Sequence, residues 1–319
     1  MDLNLTNSGI SRRLSWLACP LGASAAAAIL RKWQLGSAFE PDTGLATPGS
    51  PASVVLTCVL VMAVAWFTIL ALSQPVSDQP RTVGQAGRWD LVFLDTGDLV
   101  YPILVLLAAF LALAAAPILL KTGIGQWQTY QEAVAAKKLN DSVQLPSNNG
   151  ALTIATALGT ALSFLGLLQM GRDGLHAGRR GKGGFSATLP GVAGCVWLME
   201  SFRAHAADPV RWDYAPLLLA IVCGMLLYMD FAGMSAGSAR PRRLLWVAAM
   251  TLVLSAPALT SALTEKAWGD TLLLGAQCLT AAAVLWRLPP NLENPPPIKG
   301  TPIPRTPGET SIQEETTDE

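Results

Sequence analysis

Residues 52–73 read ASVVLTCVLVMAVAWFTILALS, a run without a charged side chain and long enough to cross about 30 Å of hydrocarbon as one helix. A chain in oil must satisfy its own amides and carbonyls, which a helix of about 20 apolar residues does within a single segment. Working outward, the same hydropathy recurs near 98–120, 151–170, 187–202, 215–234, 244–263 and 271–288. The stretch 187–202 is the shortest, with Pro190 at its start and Glu200 near its end, so it is expected to tilt little or to be partly re-entrant.

An eighth apolar stretch, Leu14 to Leu30, lies between Arg12-Arg13 and Arg31-Lys32. A signal peptide is its alternative reading, since a basic start, an apolar middle and Ala23-Ser24-Ala25 suit a cleavage site. An uncleaved helix is preferred. The expected fold is therefore an all-α integral membrane protein, a polytopic bundle of about eight transmembrane helices, or seven if the first is not retained. It occupies residues 1–288. Residues 289–319, with Pro295-Pro296-Pro297 and an acidic end, are expected to form a disordered Pro-rich cytoplasmic tail.

Composition agrees: 51% of the 319 residues are hydrophobic, 14% are charged, and mean hydropathy is +0.39, too apolar for an ordinary soluble chain. The 22 basic and 22 acidic residues cancel, which recommends no nucleic-acid partner. Cytoplasmic loops retain Lys and Arg. Placing the N-terminus inside puts Arg12, Arg13, Arg81, Arg88, the Arg172 to Lys182 group, Arg240, Arg242, Arg243, Arg287, Lys299 and Arg305 on the cytoplasmic side. Fewer basic residues fall outside: Arg31, Lys32, Lys121, Lys137, Lys138, Arg203, Arg211 and Lys266. Both termini are thus expected in the cytoplasm, the membrane being the bacterial cytoplasmic one.

Trp33, Trp89, Trp127, Trp212, Trp246, Trp268 and Trp286 lie near proposed helix ends, where an indole prefers the headgroup layer. Gly125 to Ser142 spaces Trp127, Tyr130, Val134 and Leu139 near one face of a short interfacial helix. Small residues one turn apart let helices approach: Ala108, Ala112 and Ala116; Ala151, Ala155, Gly159 and Ser163; and Ala220, Gly224 and Ala232 around Tyr228. These ridges serve a compact bundle or self-association.

Chemistry-bearing residues are few. Glu200, Arg203, His205, Asp208, Arg211 and Asp213 form the densest ionisable set, and Glu200 and Arg203 are spaced to pair on a helix. This set reads first as an interfacial anchor and second as a polar-solute or headgroup site. Asp230 follows an apolar run and is expected to snorkel toward Arg240 or Arg242. His176 and His205 fall on opposite sides, which argues against a bis-histidine haem site. Cys19, Cys58, Cys195, Cys223 and Cys278 are scattered singly without zinc spacing. No catalytic, cofactor or metal residues are assigned. Arg179, Arg180 and Lys182, in GRDGLHAGRRGKGGF, suit contact with anionic lipid rather than a phosphate loop.

Several short segments carry a resemblance: Trp33-Gln34-Leu35 to Phe39-Glu40 with Thr43-Gly44-Leu45 and Pro48-Gly49; Cys195-Val196-Trp197-Leu198; Phe202-Arg203 with His205-Ala206 and Asp208-Pro209; and Arg240-Pro241-Arg242-Arg243. Together they resemble an uncharacterised family of bacterial multi-pass membrane proteins common in Gram-positive anaerobes. The resemblance implies that the first helix is retained and brings no activity with it. The preferred class is a non-enzymatic small-solute or lipid-handling component, or a membrane partner for another subunit. The alternatives are a membrane-embedded enzyme using Glu200, His205 and Asp208, and a passive assembly scaffold.

Overall fold

The computed structural model describes residues 3–40, 45, 47, 49–74, 99–139, 148–175, 186–206, 211–236 and 240–293. Among them are eight helices and no strand: α1 Leu3–Ser37, α2 Pro51–Ser73, α3 Val100–Leu139, α4 Gly150–Leu175, α5 Thr188–Ala204, α6 Arg211–Ser235, α7 Pro241–Thr264 and α8 Trp268–Glu293. Seven are long and apolar enough to cross a membrane; α5, with 17 residues and about 25 Å of length, is the short one. The chain is a multi-pass helical membrane protein.

Six helices close a ring in which α3 packs on α4, α4 on α5, α5 on α6, α6 on α7, α7 on α8, and α8 back on α3. Helix α6 also touches α8, so α7 lies behind that contact, and α1 and α2 cover its outer side. Burial follows: 78% of the α7 span is enclosed, against 22% for α2. The enclosed helix carries Thr251, Ser255 and Ser261, whereas α2 turns Val61, Met62, Trp66, Ile69 and Leu72 outward. Lipid rewards an apolar surface, so the more apolar helix stands outside, and the hydroxyls stay inside, where those of Thr251 and Ser261 bond to the preceding turn.

Three expectations change. The interfacial helix foreseen after Gly125 is continuous with the preceding span, and α3 runs for 40 residues, about 60 Å or twice the hydrocarbon thickness. Gly123 does not end α3 because α4 needs it there: a Cβ would stand 2.9 Å from the Ile154 amide nitrogen. Gly150 is its counterpart, with an added Cβ 2.6 Å from the Trp127 nitrogen. Second, α8 continues through Pro289 to Glu293, past the expected boundary at 288; the rest of the tail lies outside the described residues. Third, α4 buries only part of the ridge Ala151-Ala155-Gly159-Ser163. Ala151 is exposed, and the inward face carries Thr153, Thr156, Thr160 and Ser163, with Gly159 set against Ala193 of α5. The other two ridges are buried as expected, at Ala108, Ala112 and Ala116 and at Ala220 and Ala232.

Helix α1 belongs to the bundle. Its Arg31 is fully buried, donating from Nε to Ser261 Oγ of α7 at 2.8 Å and from Nη1 to Gln34 Oε1 at 2.7 Å. Gln34 in turn donates to Ser53 of α2 at 2.9 Å. These bonds gather the C-terminal ends of α1 and α7 and the N-terminal end of α2 at one end of the bundle.

Candidate functional site

Two helix faces meet inside the ring. On α8, Asp270, Leu273, Gln277, Thr280, Val284 and Arg287 follow one another at three- and four-residue steps, a single stripe with polar groups at both ends and in the middle. On α4, Thr153, Thr156, Thr160, Ser163 and Leu167 repeat the pattern. Between these stripes lies a cavity of about 30 Å³, walled by Ala112, Thr160, Ser163, Trp197, Tyr228 and Gln277 among others from α3, α4, α5, α6 and α8. That is room for one or two water-sized species, at mid-span.

The wall is built around Gln277, which is 5% exposed and whose Oε1 has no hydrogen-bond partner. Gly224 of α6 makes the space: a methyl there would overlap the Gln277 carboxamide. Tyr228 donates to Thr280 Oγ1 at 3.3 Å, tying α6 to α8 below the glycine contact. Trp197 closes the other side, since its indole N–H crosses the ring and donates to Asp270 Oδ1 at 2.9 Å.

One turn beyond Trp197 stands the half-buried Glu200, within electrostatic reach of Asp270 and His205. The Thr153 hydroxyl approaches Glu200 Oε1 and Gln126 Oε1 at 3.0 Å each, and the Asn149 carbonyl at 3.2 Å. One proton cannot serve three acceptors; exchanging the Gln126 amide ends lets Gln126 donate to Thr153 while Thr153 donates to Glu200. The Asn149 Oδ1 nearby is buried without a partner. His205 bonds through Nδ1 to the Ser201 carbonyl at 2.8 Å and stacks on Tyr214 at 5.2 Å.

The predicted residues are thus divided. Glu200 and His205 come together, but the Glu200–Arg203 pair is corrected: Arg203 is exposed and the contact of Glu200 is Thr153, because Glu200 turns into the ring. Asp208, like Arg179, Arg180 and Lys182, lies outside the described residues. Asp230 sits at the opposite end and pairs with Arg243 at 3.0 Å; of the two expected partners, Arg240 is within electrostatic reach, while Arg242 instead reaches the Gln74 carbonyl at 3.1 Å. Arg243 is one residue further into α7 and meets the last turns of α6 directly. With Arg243 43% exposed, this is an interfacial pair.

Asp270, Trp197, Gln277 and Thr153 were not singled out from sequence. The signal that reveals them is the stripe on α8, in which Asp270, Gln277 and Thr280 are polar at helical spacing within an otherwise apolar span. Among the described residues no group of three His, Cys, Asp or Glu is placed to hold a metal ion. Comparison with protein-family models, with curated proteins and with solved structures yields no match. The family resemblance therefore rests on its short segments alone.

Proposed function

We propose that this protein handles a small polar solute at a site inside its six-helix ring, in the bacterial cytoplasmic membrane. The observation that carries this reading is Gln277: a buried carboxamide at mid-span, given space by Gly224 and left with an unmatched oxygen beside a cavity. An unmatched polar group among apolar helices costs about 1–3 kcal/mol, and a solute that bonds to it removes that cost. The small-residue ridges at Ala108–Ala116 and Ala220–Ala232 are occupied by internal packing and lend no support to self-association.

The orientation proposed is that of the charge pattern, with the Arg240, Arg242 and Arg243 end in the cytoplasm and the Glu200 and Asp270 end outside. Arg31 and Arg287 are buried and do not count as loop charges on either side. Proteoliposomes test the function. Stopped-flow light scattering should report faster entry of water, or of a solute of similar size, than in protein-free vesicles. Gln277→Leu should return the rate to background, whereas equal rates with and without protein would refute the reading. The enzyme alternative draws on Glu200 and His205, which lie close to each other. Alanine at both with an unchanged cellular phenotype and normal expression removes it.

A further inference from the structure

The hydrogen bonds of the cavity wall define the class of solute, on the premise that the cavity is the binding site. Thr160 donates to the Thr156 carbonyl at 2.7 Å, Ser163 to the Gly159 carbonyl at 2.9 Å, and Tyr228 to Thr280 Oγ1 at 3.3 Å. Thr280 spends its own proton on the Ala276 carbonyl at 2.9 Å, and the Trp197 N–H is committed to Asp270. Each hydroxyl that walls the cavity has given its proton to the protein and keeps only lone pairs for a ligand.

Gln277 completes the set. Its oxygen lacks a partner, and turning the carboxamide about its last bond exchanges oxygen and nitrogen with little change of shape. Two aromatic rings, those of Trp197 and Tyr228, belong to the same wall, and their faces attract cations. No Lys or Arg lines it. Asp270, which accepts the Trp197 N–H, and Glu200, within electrostatic reach of Asp270, lie outside this wall. Acceptors and aromatic rings in one wall favour a donor with positive charge.

We infer that the cavity binds ammonium, a water-sized monovalent cation whose four N–H groups match the lone pairs of Thr160, Ser163, Tyr228 and Gln277. A divalent metal would need several anionic ligands, and the wall has none. Potassium has a similar charge and size but no hydrogen to donate.

The experiment uses the full-length protein purified in detergent and follows its thermal unfolding midpoint while ammonium chloride replaces choline chloride at constant ionic strength. A ligand that binds the folded state raises the midpoint saturably. The expected result is such a rise with ammonium, a smaller one with potassium, and an affinity about tenfold or more weaker in Gln277→Leu and in the near-isosteric Thr160→Val. Ser163→Ala serves in the same way should either variant fail to fold. Equal midpoints in ammonium and choline would overturn the inference, as would an equal response to potassium or an ammonium response unchanged in the folded variants. Wild-type vesicles that pass water while the protein ignores ammonium would sink this inference and leave the polar-solute reading standing. Absence of both effects removes both.

Discussion

The indole N–H of Trp197 donates to Asp270 Oδ1 at 2.9 Å, joining the short helix α5 to the first turn of α8 across the end of the cavity. Helices α5 and α8 do not neighbour each other around the ring, so this side-chain bond is a direct tie across it. Asp270→Asn keeps an acceptor and should hold the thermal midpoint near wild type. Asp270→Leu strands the indole N–H and should lose about 1–3 kcal/mol in detergent unfolding. A double-mutant cycle with Trp197→Phe should give a coupling of about 0.5–3 kcal/mol, and additive effects would mean that the bond does not form.

Gly224 and Gln277 occupy one space between them. Gly224→Ala forces the carboxamide aside and should cost about 1–3 kcal/mol as an overpacking change. Shortening the opposing side chain in Gly224→Ala/Gln277→Ser should recover part of that loss. No recovery would show that the methyl clashes elsewhere.

Arg31 serves two helices from one guanidinium, with Nε on Ser261 and Nη1 on Gln34. In Arg31→Leu, Ser261 keeps its bond to the Pro257 carbonyl and Gln34 its bond to Ser53, so a loss of about 1–3 kcal/mol is expected, chiefly from the Gln34 oxygen that loses its donor. Arg31→Lys should not restore the midpoint, because an ammonium cannot reproduce the fixed fork of the guanidinium. Full rescue by lysine would contradict the geometry.

Sidedness is checked by labelling single cysteines at exposed Lys266 and Arg240 in a chain whose five native cysteines are replaced by alanine. A membrane-impermeant maleimide added to intact cells should label Lys266→Cys, and should reach Arg240→Cys only after permeabilisation. The inverse pattern would turn the bundle over.

The helices were legible because each is a long apolar run, and lipid imposes the same demand on every span: Val54 to Leu72 in α2 needs no tertiary context to be read. Even the marginal 187–202 stretch becomes a helix, Thr188–Ala204, held between α4 and α6 by close contacts at Gly166, Gly191 and Gly194. The end of α3 was not legible, since Gly123 and Gly125 look like helix punctuation and only the approach of α4 explains Gly123 as a crossing point. The site was half legible. Glu200 and His205 stand out as ionisable groups near the membrane. Gln277 is uncharged and Asp270 sits in a first turn, so their importance emerges only when α5 and α6 are brought against α8. The face chosen by α4 was missed for a related reason: alanine and glycine spacing suggests an interface, yet the Thr and Ser residues turn inward because lipid is a poorer place for hydroxyl lone pairs than the ring interior.

The cavity exists only if the ring closes between α3 and α8, where Leu119 packs over Gly269. The most direct test is the double variant Leu119→Cys/Gly269→Cys, in the background without native cysteines, oxidised in native membranes. An intramolecular disulfide that requires both cysteines and is reversed by reductant is the predicted result. A well-expressed, membrane-inserted protein that forms no such bond, or bonds only between separate chains, would contradict the ring and the site inside it.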